Sequence, residues 1–216
     1  MFRWIIFLMF FFFQVGAIFG QDAVALTFDD GPLPVGTEPL LKILRDLKVQ
    51  ATFFVVGENA LQQPGLVRAI AHDGHELANH SFSHLPMDEL SDEQIDLELV
   101  ATNTLLEAIS GQRIRYFRPP GGRQDSRVSR AVGIASLKTV LWTVNGCDAE
   151  PGYETKRPYT DVSSMVDYLL ARAKNGSVFL LHNGSQITLT ALPALVLGLR
   201  EKGFRLVLVS DLLKEK

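Results

Sequence analysis

Cysteine is all but absent. Cys147 is the sole example in 216 residues, so no disulfide can close within the chain, and the residue itself reads as a small buried apolar side chain. A surplus of charge is missing too: 21 Lys and Arg against 24 Asp and Glu leave a formal net charge of −3. The basic residues are scattered, which removes the electrostatic footprint of a nucleic-acid binder. No nucleic acid partner is expected. No internal repeat occurs, which excludes a repeat architecture. What is present suits one domain: with 47% hydrophobic residues, a chain of this length can bury one good core and is too short for two comfortable ones.

The compartment is read from the N-terminus. Met1-Phe2-Arg3 carries the only early positive charge, and residues 4–13 form an unbroken apolar run rich in phenylalanine. That is the make-up of a secretory signal peptide over residues 1–20. Small residues at Gly16, Ala17 and Gly20 offer cleavage after Ala17 or Gly20, and no cysteine stands nearby for lipid attachment. Left uncleaved, the leader could extend through Gln14 to Phe19 toward a marginal membrane anchor, the one membrane contact expected. Either way the domain over residues 21–216 is exported, to the periplasm, the cell envelope or the medium, where a monomer is expected.

Along that domain, apolar runs bounded by glycine and polar clusters predict strands near residues 24–28, 51–56, 75–79, 114–117, 139–144, 177–181 and 205–209. Helical spacing predicts helices near 37–48, with Thr37 as N-cap, then 64–73, 125–136, 161–174 and 188–202. Ser91 with Gln94 is a capping box that opens a further long helix. Residues 151–158 are polar with two prolines, and read as a binding loop over a cleft. Alternation of this kind in one domain predicts an α/β fold, a distorted and incomplete (β/α) barrel of about seven parallel strands.

The polar residues of interest fall just past the strand ends. Asp29, Asp30, His80, His84, Arg118, Asp148 and His182 would share the C-terminal rim of such a barrel, where the loops of this fold carry chemistry. Neighbours on a regular strand face opposite ways, and the glycine turn after Asp29-Asp30 is the device that could let both carboxylates face one cleft. The bland alternative is an acidic turn or helix cap. A metal that activates water wants three protein ligands and an open position, which Asp30, His80 and His84 can supply. The His-x-x-x-His spacing is weak alone, and Pro86 favours a loop over a helix there. If one aspartate binds metal, the other can take a proton from water, with Arg118 to hold it ionised and oriented. His182 is a candidate general acid, its pKa raised by a carboxylate such as Asp148. The ordinary alternatives are a surface ion pair for Arg118 and a satisfied core residue for His182. His72 and His75 read as structural.

The runs TFDDGP, HSFSH, RPPGG, the segment from Trp142 to Asp148 and LLH resemble, in order, the five motifs of the polysaccharide deacetylases, carbohydrate esterase family 4, also called the nodulation-protein-B homology domain. The resemblance runs from Val24 to about Asp211. TFDDGP followed by the spaced histidines is its specific part; the third and fifth motifs are weaker. It implies metal-dependent hydrolysis of the N-acetyl group of N-acetylglucosamine-type residues in a peptidoglycan or chitin-like polysaccharide. It makes Asp29 the base, Asp30, His80 and His84 the ligands of a divalent metal, usually Zn2+ with Co2+, Ni2+ or Mn2+ as alternatives, and Arg118 the positioner of the base. Asp148 tunes His182, the acid. Leu180 falls in the acetyl-methyl pocket, Gly121 and Trp142 are further substrate-binding positions, and a backbone N–H near Gly121 contributes to the oxyanion site.

The chain departs from the pattern at Gly121, where tyrosine is common, and at Ala149, where an aromatic usually follows the tuning aspartate; both open the cleft. Asn145 and Asn183 stand where aspartates are frequent. Two other functions therefore stay in view: a metal amidohydrolase acting on a small non-sugar amide, and a catalytically silent glycan-binding relative. The silent relative predicts a lost base, ligand or acid, and none is lost.

Overall fold

The structure, a computed structural model, describes residues 22–149 and 157–214. The leader expected over residues 1–20 and most of the polar loop at 151–158 lie outside the described residues. The chain runs β1 (Ala23–Gly31), α1 (Thr37–Leu47), β2 (Thr52–Val55), α2 (Gly57–Gln62), α3 (Pro64–His72) and β3 (Glu76–Asn79). It continues through α4 (Asp92–Ser110), β4 (Tyr116–Phe117), α5 (Ser126–Ile134), β5 (Lys138–Thr139) and β6 (Val144–Asn145). The last elements are α6 (Val162–Leu170), β7 (Ser177–His182), α7 (Gln186–Glu201), β8 (Arg205–Leu206) and α8 (Val209–Leu212). Among the described residues no helix is long and apolar enough to cross a membrane.

Every strand pair is parallel. The order across the sheet is β5-β4-β3-β2-β1-β7-β6, with β8 also on β1, the distorted, incomplete (β/α) barrel expected. Alternation along the strands splits the core in two. Val24, Leu26, Phe28, Phe53, Val55, Leu77, Phe117, Phe179 and Leu181 pack outward with the apolar faces of the helices. Ala23, Ala25, Phe54, Ala78, Tyr116 and Val178 face inward, together with Val209 and Leu212 of α8, which plugs the end where the strands begin.

The run at 139–144, expected as one strand, is two. Its first part pairs with β4 at one edge of the sheet and its second with β7 at the other. Val140 donates to Phe117 O at 2.8 Å and Thr143 to Val178 O at 3.0 Å, so residues 140–143 cross between the edges and nearly close the barrel. An apolar run reports burial and not which neighbour each residue pairs with, so the pattern could not show the break.

Other details shift at element ends. Thr37 does not cap α1: its hydroxyl accepts from Leu33 N and donates to Asn183 Oδ1, and Gly36 is the N-cap. The Ser91–Gln94 capping box is present as read. Residues 207–209 leave the last strand early, and Val209 begins α8.

Candidate active site and metal centre

The inward register carries the chemistry to the rim. On β1 the inward positions are Ala25, then Thr27, then Asp29; on β7 they are Val178, Leu180 and His182, and Asp29 is paired in register with His182. The same alternation places His80 two residues after Ala78, and Arg118 two after Tyr116. Asp30 should then point outward. It does not, because its own backbone is left-handed, at φ 70°, and the β1–β2 register slips between Phe28 and Gly31. A bulge of this kind re-aims one side chain. For a non-glycine residue it costs about 1 kcal/mol, less for Asp than for most, and Asn59 Nδ2 secures it with a 2.8 Å bond to Asp30 O. The turn glycine expected to do this has another duty: a Cβ on Gly31 would lie 2.1 Å from Asn183 Nδ2.

Asp30, His80 and His84 form a potential metal-binding group, with one ligand atom from each lying within 4.8 Å of the others. His84 Nε2 is 3.1 Å and His80 Nε2 3.3 Å from Asp30 Oδ1. His80 Nδ1 donates to Arg118 O at 2.7 Å, which directs its Nε2 at Asp30. Burial alone would raise the Asp30 carboxyl, but hydrogen bonds from His80 and His84 and the charges of nearby histidines hold it well below the usual carboxylate range. His84 is in turn raised by its bond to Asp30. An anionic oxygen and two imidazole nitrogens, one locked in tautomer by its second nitrogen, fit a divalent cation.

Beside that group, Asp29 Oδ2 lies 3.7 Å from His80 Nε2, and Asp29 Oδ1 accepts from Arg118 Nη1 at 2.7 Å. Arg118, whose ordinary alternative is a surface ion pair, lies inside the barrel with no exposure at all. Its Nη1 also donates to Thr27 Oγ1 at 2.8 Å, its Nε to Val140 O at 2.9 Å, and its guanidinium carbon sits 3.9 Å over the Phe54 ring. Burial lowers the guanidinium pKa and Asp29 opposes the shift. Removing either partner would leave the other charged and buried.

Across the cleft, His182 Nδ1 lies 2.8 Å from Asp148 Oδ1, and His182 N donates to Asp148 Oδ2 at 2.9 Å. Thr188, in the first turn of α7, donates its hydroxyl to Asp148 Oδ2. Burial opposes protonation of His182, but the hydrogen bond and charge of Asp148, with Asp30 and Asp29 further off, raise it to about 9.

A cleft of about 600 Å3 joins these groups; Asp29, Asp30, His80, His84, Asp148 and His182 line it, as do Leu180, Gly121 and Trp142. Arg118 lies beneath. Ala149, Asn145 and Asn183 also line it. Asn145 Oδ1 accepts from Cys147 N, and Asn183 N donates to Asp29 O at 2.9 Å. Cys147, expected to be buried, is half-buried in a left-handed turn at φ 52°. His75 is buried under the sheet, lowered to about 4 by that burial, while His72 is exposed. Sequence reasoning passed over Thr27, Thr188 and Glu98, which hold the site residues and carry no spacing signal, since their partners are distant in sequence.

A family model described as polysaccharide deacetylase matches residues 17–140. The peptidoglycan-N-acetylglucosamine deacetylase of Bacillus cereus is 35% identical over 202 residues, covering 91% of this chain and 90% of that protein. A chitooligosaccharide deacetylase of Azorhizobium caulinodans is 31% identical over 201 residues, covering 86% of this chain and 92% of its own length. The structure of the peptidoglycan deacetylase PdaC from Bacillus subtilis superposes with a TM-score of 0.79 at 30% identity, over 90% of this chain and 91% of that one.

Proposed function

The chain belongs to the polysaccharide deacetylase family, and we propose that it is an exported, metal-dependent hydrolase that removes the N-acetyl group from N-acetylglucosamine-type residues of a peptidoglycan or chitin-like polymer. The single observation that carries this reading is the convergence on one cleft of a buried Arg118–Asp29 pair, an Asp30-His80-His84 group and a His182–Asp148 pair. A base, a cation site and an acid are the parts that hydrolysis of an unactivated amide needs.

Asp29 takes a proton from the attacking water, whose oxygen bonds to the acetamide carbonyl carbon. Arg118 fixes which Asp29 oxygen faces the water by occupying Oδ1. A divalent cation, for which Zn2+ suits the donor set best, would be held by Asp30, His80 and His84 and would supply Lewis-acid polarisation there. The amides of Gly122 and Arg123 close the turn onto Pro119 and Pro120, which leaves that of Gly121 to meet the developing oxyanion. His182, protonated below about 9, gives its proton to the sugar nitrogen as the C–N bond breaks. Acetate and a free amine result. Leu180, at the cleft floor, receives the acetyl methyl, and Trp142 forms a wall for the sugar ring. The apolar leader over residues 1–20 supports export of the domain over residues 21–216.

The test is acetate release from peptidoglycan, from chitooligosaccharides and from small non-sugar acetamides. The proposal expects turnover on one of the two glycans at a kcat/KM well above that on the small amides. Preference for the small amides would replace it with an amidohydrolase of that class, and glycan binding without turnover would make the chain a silent relative.

A further inference from the structure

We propose that Glu98, on α4, is a positioning residue for the metal-binding histidines, and that the affinity of the site for a divalent cation depends on the hydrogen bonds its side-chain oxygens accept from the segment between them. The inference rests on the reading of Asp30, His80 and His84 as metal ligands. The hydrogen bonds of the Glu98 side chain go to Phe82 and Ser83, between the two histidines.

His80 and His84 are separated by Ser81-Phe82-Ser83, a segment with little regular structure of its own. Ser81 and His84 both hold left-handed backbone, at φ 63° and 58°, a conformation that non-glycine residues keep only where surroundings impose it. Those surroundings can be accounted for group by group. Ser81 O accepts from Gly57 N at 3.0 Å and Phe82 O from Glu58 N at 2.9 Å, so the start of α2 grips the segment's carbonyls. The four amides from Ser81 to His84 are met by side chains. Ser81 N donates to Asn79 Oδ1 at 2.8 Å and His84 N to Ser81 Oγ at 3.0 Å. The two in the middle both go to Glu98: Phe82 N at 2.6 Å and Ser83 N at 2.8 Å share Oε2, while Ser83 Oγ donates to Oε1 at 2.6 Å.

One carboxylate therefore satisfies two adjacent amides and a hydroxyl between the two histidines. It is delivered by a long helix with a formed capping box, and the next residue's carbonyl, Leu99 O, accepts from Asn79 Nδ2 at 3.0 Å. The helix thus holds the segment at two points. Without Glu98, the Phe82 and Ser83 amides lose their acceptor, and the left-handed turn at His84 loses what imposes it. The imidazole of His84 is the one that drifts, because His80 keeps its separate bond to Arg118 O.

The test uses the full domain and Zn2+ alone, with affinity measured by competition against a chelator of known strength. Glu98→Ala is expected to bind Zn2+ about 10- to 100-fold more weakly, the range for a lost supporting partner of a metal ligand. Glu98→Gln, whose amide oxygen can accept both N–H groups and whose NH2 can meet the Ser83 hydroxyl, is expected to stay within about threefold of wild type. Both variants are checked for wild-type circular dichroism. If Glu98→Ala does not fold, Ser83→Ala, which removes the one hydroxyl bond to the carboxylate, must weaken Zn2+ binding by about tenfold, as loss of a hydrogen bond to a charged group would. Wild-type affinity in folded Glu98→Ala, or in the serine variant where that is the one used, overturns the proposal. So does loss in Glu98→Gln equal to that in Glu98→Ala, since charge and not geometry would then matter. Failure of the deacetylase reading looks different: the wild type would bind Zn2+ and release no acetate, with the variant series unchanged.

Discussion

Two adjacent carboxylates do unlike things because their backbones differ. Asp29 continues the inward register of β1 and meets Arg118, whereas Asp30 turns through a left-handed conformation to meet His80 and His84. Asp29→Asn is expected to lower kcat by about 10²–10⁴, the usual weight of a general base, while Zn2+ still binds with wild-type stoichiometry. An emptied site in that variant would mean that the two carboxylates have been assigned the wrong way round. For His182 the sign of the pH dependence follows from its raised pKa. As the proposed general acid, His182 must be protonated to act, which assigns it the descending alkaline limb of activity, and Asp148 is what holds His182 up near 9. Asp148→Asn should move that limb down toward 6.5. The same shift contributes stability that is present below about 6.5 and lost as pH rises through about 9. An unmoved alkaline limb in Asp148→Asn would detach His182 from the proton transfer.

Elements position these residues through close backbone approaches. Gly36 lets the β1–α1 loop lie against the β7–α7 loop: a Cβ there would stand 2.2 Å from Gly184 Cα. Since the obstacle is backbone, Gly36→Ala should destabilise the domain by about 1–3 kcal/mol, read as a lowered unfolding midpoint. Gly65, inside α3 with nothing near its missing Cβ, should behave oppositely. Gly65→Ala is expected to add about 0.5–1 kcal/mol, by helix propensity and reduced freedom of the unfolded chain. Equal signs for the two would contradict the packing described. What was legible at this scale was local. The Ser91–Gln94 box is written within four residues and is present; Thr37 looked equally like a cap but found its partner in Asn183, far along the chain. The split of residues 139–144 between two sheet edges depends on strands before and after it, which no local pattern contains.

At the scale of the molecule, parallel strands place their ends on one rim, and α8 seals the opposite end. That is why strand-end residues are legible in the sequence as one cleft: the rule needs only strand direction and order of alternation. It could not say that Arg118 would point inward from its turn to become a buried strut, because that follows from the register of a strand two residues long. Nor could spacing separate Glu98 and Thr188 from other surface-like polar residues on helices. The most direct measurement is acetate release from an N-acetylglucosamine polymer by one enzyme sample taken through three states: as purified, stripped with chelator, and restored with one equivalent of Zn2+. The account predicts activity lost on stripping and returned by a single equivalent per chain. Activity that survives complete removal of metal, or none on any acetamide after restoration, would contradict it.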